Sequence, residues 1–229
     1  MLVGAVIALV LEPGRRLVGL LMAFGAGVLI SAVAYDLVDE AFNVADGSGA
    51  VAAGLAAGAL AFYLGDAAIA RRGGGDRKDS EAEHPAEAQQ AIVLGTVLDG
   101  VPEGIVIGLS LIGGGEVSVA VIAAVFMSNL PESIAATRGL ARSGFSSQRL
   151  YRMWGTITAI TAVAAMAGYG VFDGASDSLV AFVQAFAGGA LLTMLSGTML
   201  PEAVRGAGRE VGLATVLGFG LAFALVQIG

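Results

Sequence analysis

The stretch VLDGVPEGIVIG, Val97–Gly108, decides how this chain is read. Its apolar texture is that of a buried helix, yet Asp99, Pro102 and Glu103 interrupt it. Twenty-nine residues further on, MSNLPESIAA (Met127–Ala136) repeats the interruption with Asn129, Pro131 and Glu132. An acidic side chain at the centre of a membrane helix costs about 2.5–3.5 kcal/mol on insertion scales, so such groups face the bundle interior and mark a pathway. Asp99 and Glu103 are four residues apart and share one helical face, as do Ser128 and Glu132, with Asn129 beside them. Neither proline can donate a backbone hydrogen bond, which deprives the carbonyls of Leu98 and Met127 of their helical donors. Carboxylates, an amide, a hydroxyl and bare carbonyls together form a set of oxygen ligands for a divalent cation. A proton relay or a sodium site can be built from the same groups. A single motif of this kind is also compatible with a packed bend around a protonated acid; two on consecutive helices argue for a shared site.

The rest of the chain supplies the setting. Of its 229 residues, 56% are hydrophobic and 14% charged, with a mean hydropathy of +0.82. A soluble domain carries about 25% charge. Thirty-five glycines suit transmembrane helices whose backbones approach closely. There is no cysteine, so neither a disulfide framework nor a thiolate metal site is possible. A net charge of −7 leaves no basic face to meet phosphates, which argues against nucleic acid as a partner. These observations predict an all-α, polytopic helical membrane protein in one transmembrane domain, residues 1–229, whose partner is the lipid bilayer.

Cutting the apolar runs at their polar joints gives Leu17–Phe42, Ala50–Ala70, Gln89–Ile112, Val117–Leu140, Tyr151–Phe172, Ser178–Leu200 and Ala207–Ile228. Each reaches the roughly 20 residues that a hydrocarbon core requires. A stub, Met1–Leu11, is too short to span and lacks the basic segment and cleavage site of a signal peptide. It reads either as the end of a truncated first helix, making eight spans, or as an interfacial or re-entrant segment beside seven. Arg15, Arg16, Arg71, Arg72, Arg77, Lys78, Arg138, Arg142, Arg149, Arg152, Arg205 and Arg209 all fall at alternate joints; the remaining joints hold acids or no charge. The positive-inside rule makes the basic side cytoplasmic. With eight spans, both termini lie outside a plasma or inner cell membrane. Residues 71–88, RRGGGDRKDSEAEHPAEA, are predicted to be a flexible cytoplasmic loop between helices three and four; the lone His84 reads as part of that solvated linker.

The two motifs resemble the transport site of the Zrt/Irt-like (ZIP) family of divalent metal transporters. That family carries H-N-x-P-E-G on its fourth helix and [HQ]-[ED]-x-P-[HE] on its fifth. Here DGVPEG matches through Pro102, Glu103 and Gly104, and SNLPE through Pro131 and Glu132. AFGAGVLISAVAYDLVDEA (Ala23–Ala41) looks like the family's second helix and AFAGGALLTMLSGTMLPEA (Ala185–Ala203) like its seventh. The resemblance implies an eight-helix bundle with the stub as the remainder of helix one. It also implies a metal site of Asp99, Glu103, Ser128, Asn129 and Glu132. The departures are specific: Asp99 replaces a histidine, Gly100 an asparagine, and Ser128 and Asn129 a His or Gln and an acid. No acid stands near Gly197 and Thr198, where the family often has one for a second metal, and the loop lacks a histidine cluster. A divergent prokaryotic member with a single-metal, all-oxygen site is therefore expected.

Such ligands favour Mn²⁺, Fe²⁺ or Mg²⁺ over a zinc-selective site, whereas the family resemblance points to zinc. The expected function is movement of a divalent metal, zinc, manganese or iron, into the cytoplasm, with the ion as substrate and no organic cofactor. The competing readings are a proton- or sodium-coupled solute carrier and a non-transporting metal-binding or sensing protein. No nucleophile–base constellation, phosphate-binding loop or H-E-x-x-H signature suggests an enzyme. A homodimer is left open. Tyr35 and Asp36 are candidates for an entrance, and Glu202 for an exit.

Overall fold

A computed structural model describes residues 1–45, 49–71, 85–112 and 119–228, with side chains left out of account at 85–91, 119–120 and 226–228. The expected loop at 71–88 lies mostly outside the described residues, and His84 lies wholly outside. No strand occurs among the described residues. The helices are α1 (Leu2–Leu11), α2 (Arg15–Val44), α3 (Gly49–Ile69), α4 (Pro85–Leu109), α5 (Val119–Arg142), α6 (Ser147–Phe172), α7 (Asp177–Met194, continuing to Ala207) and α8 (Val211–Ile228). Five described stretches are long and apolar enough to cross a membrane: Arg15–Val44, Gly49–Ile69, Ile92–Leu109, Ser147–Phe172 and Asp177–Leu225. The last is broken at Gly208, whose φ of +64° is open to glycine and costly for other residues. The protein is thus all-α and polytopic.

Local chemistry sets the ends. Pro85, at the first helical position of α4, loses no bond because that N–H would be unpaired anyway. Helix α4 therefore begins four residues before the expected Gln89. Ser146 caps α6 by accepting from the Arg149 amide at 3.4 Å. Two π-helical segments were not foreseen: Val33–Asp39 within α2 and Leu195–Met199 within α7. The second leads directly into Pro201, whose missing N–H already weakens the α-helical ladder there.

Glycine contacts fix how the helices run. A Cβ on Gly104 would lie 2.6 Å from the Thr161 carbonyl oxygen, and one on Gly168 would lie 2.5 Å from that of Ile105. Helices α4 and α6 therefore run parallel at backbone contact, the packing that small residues permit in membranes. Gly218 of α8 meets Phe24 of α2, while Arg16 pairs with Glu210, so α2 and α8 are also parallel. Gly19 of α2 abuts Ala203 and Ala207, and Gly25 approaches Met199, which makes α7 antiparallel to α2. Repeating this around the bundle gives strict up–down alternation. Arg15, Arg16, Arg71, Arg138, Arg142, Arg149, Arg152, Arg205 and Arg209 consequently gather at one end, as the alternation of charged joints predicts. The start of α1 and the end of α8 lie toward the other.

The stub packs inside the bundle. Gly4 and Ala5 of α1 are buried, Gly4 abuts Leu130 and Ser133 of α5, and Arg138 donates to the Pro13 carbonyl. This placement favours a bundle helix over an interfacial segment. Burial separates centre from rim: 67% of the apolar window of α2 and 61% of that of α4 are buried, against 11% for α6 and 17% for α3. The site motifs thus sit on or beside the most enclosed helices.

Gly168→Val should lower the midpoint of thermal unfolding in detergent, at a cost of about 1–3 kcal/mol for overpacking against a carbonyl. Gly155→Val, on the same helix with nothing within 4 Å, should leave that midpoint nearly unchanged. Equal effects would show that backbone contact between α4 and α6 does not hold the pair.

Candidate functional site

The only charged side chains fully buried among the described residues are Asp99, Glu103 and Glu132, exposed by 3%, 2% and 6%. Ser128 and Asn129 are buried with them. All five residues expected at the site therefore enter one region of the interior, Asp99 and Glu103 from α4 and the other three from α5. The two helices are antiparallel, so their polar stripes meet. The direct links converge on Glu103. Ser128 Oγ donates to its Oε1 at 3.0 Å, and Asn129 Nδ2 donates to its Oε2. Each donor is also tied to its own helix: Ser128 Oγ bonds the Val125 carbonyl at 3.0 Å and Asn129 Nδ2 the same oxygen at 2.9 Å. A buried carboxylate is costly unless its oxygens find donors, and here each oxygen has one.

The proline-freed carbonyls do not all face this cluster. A Cβ on Gly25 of α2 would stand 2.5 Å from the Met127 oxygen. The carbonyl released by Pro131 is therefore covered by a glycine of α2. Ser133, one turn past Asn129, donates to the carbonyls of Asn129 and Leu130 at 2.8 and 2.9 Å and steadies the backbone around the proline. Among the described residues, no group of three His, Cys, Asp or Glu side chains is drawn together tightly enough to hold a metal ion. Glu103 is held by donors, not surrounded by acceptors.

On the side away from the basic end, Glu103 borders a cavity of about 10 Å³, roughly the room of one water molecule. Its walls are apolar and include Leu29, Val33 and Leu37 of α2, Val106 of α4, Val121 of α5 and Leu191 of α7. Glu103 is its single polar wall.

The weaker candidates separate. Tyr35 turns toward α8, with its ring 5.2 Å from that of Phe223 and 6.3 Å from that of Phe219. Asp36 is half-buried three residues beyond Val33, which lines the cavity. Glu202 is half-buried in the last turns of α7. Sequence reasoning passed over Gln184 of α7, which is 5% exposed with an Oε1 lacking a hydrogen-bond partner. It stands seven residues before Leu191, on the same side of the helix. Its signal was present, as the one amide within the apolar run AFVQAFAGG.

A bundle of alternating membrane helices with buried carboxylates at its centre is the class these features define. No family model matches the chain. It is similar to the Arabidopsis thaliana protein named "Putative zinc transporter At3g08650", with 27% identity over 204 residues, 88% of this chain and 32% of that protein. The chain spans about a third of the length of that relative.

Asn129→Leu should cost about 1–3 kcal/mol by stranding a buried carboxylate oxygen. The same substitution made on Glu103→Gln should cost clearly less, because no charge is left to strand. Unfolding of the four proteins in detergent completes the cycle; additive costs would show that the bond contributes nothing.

Proposed function

We propose that the chain is a membrane carrier for a divalent metal ion, moving it from outside to the cytoplasm through Glu103, Glu132 and Asp99 with Asn129 and Ser128. The observation that carries this reading is the burial of three carboxylates and two oxygen-bearing polar side chains where two antiparallel helices meet. Its support from relatives is the similarity to a plant protein named for zinc transport. Both oxygens of Glu103 accept from donors, and a cation would compete for them. Asn129, which presents its amide nitrogen to Glu103, would turn about its last torsion and offer its oxygen instead. Glu132 and Asp99 would complete the oxygen shell, and the ion would shed water because carboxylates replace it. An all-oxygen shell suits manganese and iron as well as zinc. The apolar walls beside Glu103 would separate the site from the outer face until the helices part, as alternating access requires.

A second reading has one observation in its favour: no three acidic groups converge tightly among the described residues. Under it, the same carboxylates carry a proton or a sodium ion that drives a small solute.

Reconstituted in proteoliposomes, the protein should take up Zn²⁺, Mn²⁺ or Fe²⁺, and competition among the three should rank them. Glu103→Ala and Glu132→Ala should each reduce uptake by about tenfold or more, since each removes a charged ligand that pays for dehydration of the ion. Undiminished flux in the double variant would remove these residues from the pathway. Substrate-linked pH change with no dependence on added metal would select the second reading.

A further inference from the structure

A second polar feature lies at the basic end, away from Glu103. Between the first turns of α6 and the described start of α4, a groove of about 300 Å³ opens to the surface. Arg149, Arg152 and Thr156 line it, with Val93, Ile157 and Ile160. Residues 149, 152, 156 and 160 fall on one side of α6 and stretch about 16 Å along it at 1.5 Å per residue. Charge is confined to the end near the membrane surface, and the walls turn apolar with depth. The polarity of the groove thus matches that of a phospholipid standing in one leaflet.

We propose that this groove binds an anionic phospholipid of the leaflet at the basic end, its phosphate between Arg149 and Arg152 and its upper acyl chain along Val93, Ile157 and Ile160. Three observations converge on a phosphate-bearing anion. The Arg149 guanidinium is already placed, stacked 4.2 Å from the centre of the Phe145 ring. Arg152 meets no acidic side chain among the residues whose side chains are described, which leave out 85–91. Both arginines occupy the first two turns of α6, the end of a helix where the backbone dipole opposes cations and welcomes anions. Guanidinium groups match phosphate oxygens in a bidentate manner, and basic pockets between helices at a membrane surface are established lipid-headgroup sites. The apolar depth of the groove favours a lipid over free phosphate. Nothing in this assignment depends on what the buried carboxylates carry.

The test uses the full chain in nanodiscs that contain equal amounts of phosphatidylglycerol and phosphatidylcholine. Lipids that stay bound after transfer to detergent are counted by native mass spectrometry. The wild type should retain phosphatidylglycerol over phosphatidylcholine by up to about thirtyfold, the scale expected of two arginines at a lipid surface. Arg149→Gln/Arg152→Gln should abolish that preference, while Arg16→Gln, which alters an exposed ion pair elsewhere on the same face, should keep it. Ile160→Trp, which fills the apolar depth but spares both charges, should also reduce retention. Equal retention of the two lipids by the wild type would overturn the proposal, as would an unchanged preference in the double arginine variant. Displacement of bound lipid by millimolar inorganic phosphate would overturn it in favour of a free-anion site.

Discussion

The carboxylate of Glu103, buried and held by Ser128 and Asn129, is the constraint around which the bundle centre is arranged. Buried carboxyl oxygens in that position need partners, and two side chains supply them. The donors come from the facing helix, which fixes the rotation of α5 against α4 and brings Glu132 to the same interior. Both donors also bond the Val125 carbonyl, so they are tied to α5 before they reach across. The remaining helices serve this arrangement by lying close. Gly104 and Gly168 let α4 rest on α6, and Gly25 lets α2 cover the carbonyl that Pro131 leaves without a donor.

Much of this was legible from residue order. The apolar runs located the helices because a bilayer demands uninterrupted length, and the alternation of basic joints foretold the up–down order. The five candidate residues, which the structure buries together, could be picked out from two Pro-Glu motifs because a buried acid in a membrane helix needs an explanation and a spacing of three or four supplies a shared face. Other features depend on neighbours that spacing does not reveal. The π-helical turn at Val33–Asp39 has no local signature such as a proline. The direction of Tyr35 was set by aromatic rings on α8, almost two hundred residues away. The Met127 carbonyl looked available from the sequence of α5 alone, and only the approach of Gly25 shows where it points.

Glycine placement also divides the bundle into zones of different intimacy. Helix α4 packs most extensively on α6, whereas α5 lies chiefly against α1 and α2. Direct packing between α4 and α5 is comparatively sparse. The polar links between Glu103 and α5 therefore span a seam between two closely packed groups.

That seam gives the hydrogen bonds a second meaning. Ser128 and Asn129 satisfy two buried oxygens, and they are also rivets between two groups of helices that otherwise touch lightly. A guest that drew the oxygens of Glu103 away from these donors would loosen those rivets, so occupancy of the centre and cohesion of the bundle would be coupled.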